Sequence, residues 1–455
     1  MKRMKLFTNI LIVMVALAML FTACTPKAVE QPKEEPKEVA APAEEEQEAT
    51  PEPEVKEEYS QGVTDDTIKV GNTAAVSGAL AAVGVPFNDA IKAYFKQIND
   101  AGGIGGKSIE FITYDDGFDG ATGAALTEKL AEEDKVFALV GHFGTPTVSA
   151  TLDYIGEYGI PMVYAATGIN GLYFEESPMN PVMAVQPIYM TDGRVMAARA
   201  FHEALFGEAK LADDAKVGVL YTNDDAGSSI LAGVQAQAAA DGKEANLVVE
   251  AVGEGTYATA VQKLKDAGVA AVILAMNQVP FKESLVAMDD AQLEVPVFTS
   301  YVNADPTAVD HTKYSENRPI YTNAWVDVYS DKGQEDAAAY GACIMQADLE
   351  DDVKGAYMTN AFATAGYIAA VVFVEGVKRV DENGDVLTWE NYIKAMEQGP
   401  INIPMGGTVD FSNGHRWGID SMSLLQYTFT GEGDEATEAF VKVREIETLT
   451  DIASK

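Results

Sequence analysis

Leu139 to Ala150, "LVGHFGTPTVSA", runs from an apolar stretch through glycines and hydroxyls into a helix-forming segment. Hydroxyl groups at such a strand-to-helix corner could hold a phosphate, serve as a nucleophile or grip a carboxylate. The first turn of a helix has N–H groups without intrahelical partners, and its dipole favours negative charge. Thr145 occupies the corner with Pro146 next, so the same residues also read as a capping threonine followed by proline at the first helical position. Thr167 closes a second apolar run, "IPMVYAAT" (160–167). In open α/β sheets ligands bind beyond the carboxyl ends of strands, which is where both threonines fall.

Other stretches present the residue types of chemistry without its spacing. "AGGIGGKS" (101–108) has the glycines and the Lys-Ser pair of a phosphate loop, but the order around it is helix, turn, strand. A phosphate loop needs the reverse, so that helix N–H groups face the phosphates. "DENGD" (381–385) opens like a calcium loop with Asp381, Asn383 and Asp385, yet Val386 and Tyr392 stand where Gly and Glu are required. His142, His202, His311 and His415 are scattered, His202-Glu203 lacks a second histidine four residues on, and no G-x-S-x-G occurs. No catalytic or metal set is nominated, and the chain is expected to be neither an enzyme nor a cofactor protein.

From Ile68 onward short β-branched runs alternate with amphipathic helices. "IKVGNTAAV" (68–76) precedes "PFNDAIKAYFKQINDAGG", in which Phe87, Ile91, Tyr94, Phe95 and Ile98 recur at helical spacing and Gly102 is placed to end the helix. "SIEFITYDD", a helix near 119–134, "VFALVGHF", a helix near 146–158 and "IPMVYAAT" continue the series. After "MNPVMAVQP" it begins again, with strands expected at 216–224, 245–252, 270–277 and 295–302. Single helices between strands imply parallel sheets covered on both faces, and two series imply two similar lobes. The remainder is mixed: a strand at 319–328, helices at about Ala356–Arg379 and at "TWENYIKAMEQ", and late strands near 408–430. The fold expected is α/β, with several crossings between its lobes.

The N-terminus is of another kind. Lys2, Arg3 and Lys5 precede an apolar run of 12 residues, Ile10–Phe21, too short for a membrane span and suited to a secretion signal. Phe21, Thr22, Ala23 and Cys24 follow the pattern of a bacterial lipoprotein signal, with Phe21 where leucine is usual. That resemblance implies cleavage after residue 23 and a lipid on Cys24, which leaves Cys343 as a buried small residue with no partner for a disulfide. Residues 25–60 hold 12 Glu, 4 Lys and 6 Pro with Tyr59 the sole aromatic, too little apolar surface to offset the entropy of ordering. Residues 24–60 read as an extended tether with a reach on the order of 100 Å. Setting aside the +3 of Lys2, Arg3 and Lys5 and the −8 of the tether, the −38 of the whole chain leaves −33 on residues 61–455. Such a surface disfavours nucleic acid and anionic lipid as partners.

Read in order, "VSGALAAVG", "INDAGGIGGKSIEFITYDD", "FALVGHFGTPTVSATLDY", "IPMVYAATG" and "KVGVLYTNDDAG" resemble the substrate-binding proteins of branched-chain amino acid ABC importers, with the type I periplasmic-binding-protein fold. The likeness covers roughly 66–425. It implies two Rossmann-like lobes joined by three crossings, lobe 1 at about 66–186 plus 325–403 and lobe 2 at about 187–320 plus 404–455. The lobes would close on a small ligand, an amino acid or related organic acid, and a monomer anchored outside the cytoplasm would pass it to the permease. A ligand sensor of the same fold is the alternative.

The resemblance places ligand contacts at Ser77, Thr145, Ala165, Ala166, Thr167, Asp225, Ala226, Asn277, Val302 and Tyr357. Thr145 and the "AAT" of Ala165, Ala166 and Thr167 fall where the family holds an α-carboxylate. Tyr357 keeps the family's aromatic character, but Val302 stands at the place of the acid that pairs the α-ammonium, and Ala226, Asn277 and Val83 replace aromatics. Either Asp224, Asp225 or Asp305 supplies the charge, or the ligand is not a standard amino acid.

Overall fold

The computed structural model describes residues 58–205, 209–315, 317–431 and 437–455. The expected signal, Cys24 and all but the last three residues of the tether lie outside the described residues.

The first βα series builds a five-stranded sheet from β1 (Thr67–Ala74), β2 (Ser108–Asp115), β3 (Ala138–Val140), β4 (Met162–Val163) and β5 (Val182–Met183), in the order β2-β1-β3-β4-β5. Every pair is parallel: α1 (Ala81–Asp100), α2 (Gly120–Glu128) and α3 (Thr145–Tyr158) make the first three returns, and a loop with one short turn at Asn170–Leu172 makes the fourth, from β4 to β5. α1 starts ahead of Pro86 and carries it within the helix. α2 is capped by the Asp119 carboxylate and runs into a wider turn at Lys129–Glu133.

The chain then crosses to a second sheet. α4 (Tyr189–His202) leads to β6 (Val217–Thr222), α5 (Asp225–Ala240), β7 (Leu247–Val252), α6 (Tyr257–Ala267), β8 (Ala271–Ala275), α7 (Gln278–Asp290), β9 (Val297–Thr299) and β10 (Ile320–Ala324). A second crossing leads through α8 (Asp331–Met345), α9 (Asp351–Tyr357), α10 (Ala361–Asn383) and α11 (Trp389–Met396), which return to the first lobe. There α10 packs along α1, and Tyr392 of α11 meets Phe137 edge to face with ring centroids 5.6 Å apart. After the two-stranded ribbon of β11 (Ile401–Asn402) and β12 (Thr408–Val409), a third crossing delivers β13 (Ser421–Thr430), β14 (Thr437–Thr448) and α12 (Leu449–Ala453) to the second lobe. Its seven-stranded sheet has the order β14-β13-β10-β9-β8-β6-β7, parallel except where β13 pairs β10 and β14. The fold is thus two α/β lobes joined by three crossings, as expected.

Two segments differ from the sequence reading. The helix expected from Ala356 is two: α9 ends, and the Asn360 side chain accepts from the amides of Phe362 and Ala363 to start α10. α8 runs through "YGACIMQA" as far as Met345 and buries Cys343, as the sequence suggests. β14 extends the sheet beyond the last strand expected, its hydrophobic alternation diluted because it pairs only β13. α10 has the length and hydropathy of a membrane span, but 67% of its most apolar stretch is buried within the protein.

Candidate functional site

The Thr145 corner is built by two strand ends. β3 stops at Val140, and the chain turns through Gly141 (φ +62°), where a Cβ would lie 2.7 Å from the Phe87 ring, and Gly144 (φ +99°). Beyond β4, Tyr164 has a positive φ of 57° and swings the next residues toward the corner. The Ala166 amide donates to His142 O at 2.8 Å, and the Gly144 amide to Ala166 O at 3.3 Å. Gly144 is therefore the N-cap of α3 and Thr145 its first residue, with no side-chain cap. The Thr145 hydroxyl instead meets the Thr167 hydroxyl at 2.9 Å, and the Tyr189 hydroxyl lies beside both. All three side chains are buried, and burial raises the Tyr189 pKa.

His142 supports the corner from below. It is fully buried, its Nδ1 takes the Thr73 amide at 3.5 Å and its Nε2 faces the Thr127 hydroxyl at 3.1 Å. The Thr127 hydroxyl already donates to Gly123 O, so it accepts from Nε2–H. Burial pushes the His142 pKa down to about 3, which keeps the ring neutral.

A cavity open to solvent lies beside the corner, with about 510 Å³ of free space when its mouth is included. Gly144, Thr145 and Ala166 form one wall, Asn277, Gln278 and Val302 of the second lobe face them, and Gln186 and Tyr189 come from the first crossing. The remaining lining is apolar, with Val83 and Phe87 on α1, Phe118 and Phe143 at strand ends, and Phe362 on α10. Among the described residues that line it, none carries a charge. An adjoining cleft of about 690 Å³ shares Leu80, Phe118, Asn277 and Gln278 with it and adds Asp224 at its wall.

Of the residues placed by resemblance, Thr145, Ala166, Asn277 and Val302 line the cavity, as does Val83. Thr167 stands one hydroxyl behind Thr145, while Ala165 and Ala226 are buried beneath the surface. Ser77 is exposed and bonded to the Asp115 carboxylate, which lowers the pKa of that acid. Asp225 is exposed in the first turn of α5. The Tyr357 hydroxyl donates to Asp89 Oδ2 at 3.0 Å, away from the cavity. Asp224 caps α5, accepting from the Gly227 amide at 2.8 Å, and Asp305 caps its own turn through the Thr307 amide at 2.9 Å.

Gln186 and Tyr189 were not nominated from sequence. They flank the first crossing in "QPIYMTDG", whose local pattern carries no signal beyond an aromatic at a helix start. Tertiary contacts fix them. The Tyr301 hydroxyl donates to Pro187 O at 2.7 Å and accepts from Gln186 Nε2 at 2.9 Å. Asp192, fully buried on α4, accepts from Asn323 Nδ2 at 2.7 Å through Oδ1, while its Oδ2 has no hydrogen-bond partner among the described residues. Burial pushes its pKa up to about 6. The crossing, β10 and the loop bearing Val302 are thereby held as one unit.

Residues 67–433 match a family model described as periplasmic binding protein. The chain is 34% identical over 105 residues to the leucine-specific-binding protein of Salmonella typhimurium, 23% of this chain and 28% of that one. It is 28% identical over 208 residues to Leu/Ile/Val-binding protein homolog 1 of Brucella abortus, 44% of this chain and 52% of that one. The matches thus span between about a quarter and a half of these curated relatives. Among solved structures, a fatty acid ABC transporter substrate-binding protein from Thermomonospora curvata is similar at TM-score 0.67 and 19% identity, over 88% of this chain and 96% of that one. A branched chain amino acid ABC transporter from Thermus thermophilus with bound valine gives 0.65 and 17%, over 86% and 100%. A solute binding protein from R. palustris in complex with 4-hydroxybenzoate gives 0.66 and 18%, over 84% and 97%. At these identities the likeness is one of fold.

Proposed function

The chain belongs to the periplasmic binding protein family, and from that premise we propose that it is an extracytoplasmic receptor that captures a small carboxylate between its lobes and delivers it to an ABC importer. The observation that carries this reading is the Thr145 corner: hydroxyls of Thr145, Thr167 and Tyr189 converge at the N-terminus of α3, on the wall of a cavity bounded by both lobes. The amides of Thr145 and Thr147 have no intrahelical acceptor by position, and an anion there gains from the helix dipole. A hydrogen bond to a charged group contributes roughly 1.5–3 kcal/mol, so a few such donors set a useful affinity. Valine, fatty acids and 4-hydroxybenzoate, named for the similar folds, all carry a carboxylate.

Closure is the mechanism of this reading. A ligand touching Thr145 on one lobe and Asn277 or Val302 on the other stabilises the closed form by its differential contacts, and the permease reads that form. The reading assigns the chain no chemistry of its own. Its N-terminus would be a cleaved signal, a lipid on Cys24 and the acidic tether; Cys24→Ser is expected to move the protein from the membrane to the soluble fraction.

The test is a thermal-shift screen of the chain from residue 58 against amino and organic acids, since residues 57–455 form one compact unit. At least one carboxylate should raise the unfolding midpoint by several degrees; no shift across a broad panel would count heavily against the reading.

A further inference from the structure

We propose that the ligand is an apolar monocarboxylate lacking an ammonium group, and that Val302 is the residue that sets this choice. The inference deepens the receptor reading and rests on it. The cavity has one polar end, at Thr145 and the first turn of α3, and aromatic walls formed by Phe87, Phe118, Phe143 and Phe362. An amino acid seated with its carboxylate at Thr145 must bury its ammonium in the same space.

Among the described residues no carboxylate lines this space. Asp116 is 3% exposed and accepts from the hydroxyls of Thr73 (3.0 Å) and Thr147 (2.7 Å) and from the Phe118 amide (2.9 Å). Asp224 caps α5 on the wall of the adjoining cleft, Asp225 is exposed beside it, Asp305 caps its own turn, and Asp192 is fully buried with its Oδ1 on Asn323. None of them lines the cavity. Asn277 and Gln278 offer the second lobe's polar groups, and Gln278 Nε2 is spent on Val302 O at 2.9 Å. Their neutral carbonyls bind an ammonium more weakly than a carboxylate would. A charged group desolvated without a counter-charge is penalised, whereas an aryl or branched alkyl body gains from the same walls. Val302 stands on the second-lobe wall, where a carboxylate would supply the absent charge.

Titration calorimetry on the purified full-length protein with matched ligands separates the possibilities. The pairs are 4-methylpentanoate with leucine and 3-phenylpropanoate with phenylalanine; 4-methylpentanamide is the control without a carboxylate. At least one acid is expected to bind 100-fold or more tighter than its amino acid and than the amide. An amino acid binding as tightly as its deaminated partner overturns this inference and leaves the carboxylate receptor intact. An amide binding as tightly as the acid overturns the carboxylate reading itself, and no binding by either acid overturns both. Val302→Asp should shift the ratio of leucine to 4-methylpentanoate affinity at least tenfold toward leucine, while Val302→Asn, similar in size but uncharged, leaves it unchanged. A folded Val302→Asp protein with the wild-type ratio removes Val302 from the role.

Discussion

Thr145 carries two readings at the residue scale, helix cap or ligand group, and its geometry separates them. Gly144 is the cap, so the Thr145 hydroxyl is free of the helix and meets that of Thr167 beside Tyr189. Loss of both hydroxyls in Thr145→Ala with Thr167→Ala should weaken ligand binding tenfold or more, at about 1.4 kcal/mol per factor of ten. The unfolding midpoint should fall as well, because the buried Tyr189 hydroxyl loses both neighbours; calorimetry on the folded variant, paired with thermal unfolding, reads the two effects apart. Gly144→Ala acts differently, forcing a side chain into φ +99° and its Cβ to within 3.1 Å of the Phe118 ring. That variant should lose stability and binding together. Thr145 was legible because a hydroxyl between a strand and a helix is a local pattern. Tyr189 was not, since its contact with Thr145 crosses between lobes.

At the scale of elements, two buried titratable groups hold strand ends and titrate in opposite senses. His142 beneath the corner has its pKa lowered to about 3 against an ordinary value of 6.5. Its contribution to stability is complete above pH 6.5 and is lost as pH falls toward 3. Asp192, which ties α4 to β10, has its pKa raised from 3.8 to about 6. Its contribution is complete below pH 3.8 and is lost as pH rises through 6. Between pH 4 and 6 the two slopes, each about 1.4 kcal/mol per pH unit, oppose one another. Asp192→Asn should therefore make stability rise with pH relative to wild type across that window, and His142→Gln should make it fall. Urea unfolding at stepped pH reads both; parallel curves would show that neither group titrates as its burial implies.

The crossings decide the behaviour of the whole molecule. On the third, Arg416 is fully buried, donates to Asn180 O at 2.8 Å in the first lobe and pairs Glu397. Its backbone exchanges two hydrogen bonds with Phe174, each 2.9 Å. Arg416→Met leaves Glu397 without its cation and should cost about 3–5 kcal/mol, measured by denaturant unfolding. Ligand binding is expected to narrow the cleft between Thr145 and Val302, so small-angle scattering should record a smaller radius of gyration with a bound carboxylate than without.

The amino-acid sequence by itself determined the βα alternation, and with it the parallel sheets, because hydrophobic period and turn residues are local properties. It also determined the threonine corner, since the strand end, glycines and helix start are contiguous. The split at Asn360 follows a local cap that a continuous apolar pattern hides, whereas the strand Thr437–Thr448 was decided by tertiary pairing with β13. So was the cavity. Gln186, Tyr189, Asn277 and Val302 lie far apart along the chain from Thr145, and only lobe packing brings them to one wall. Whether an acid faces that cavity likewise depends on where the fold sets each carboxylate. Asp116 is buried in bonds to Thr73, Thr147 and the Phe118 amide, while Asp224 and Asp225 stand outside the cavity at the start of α5.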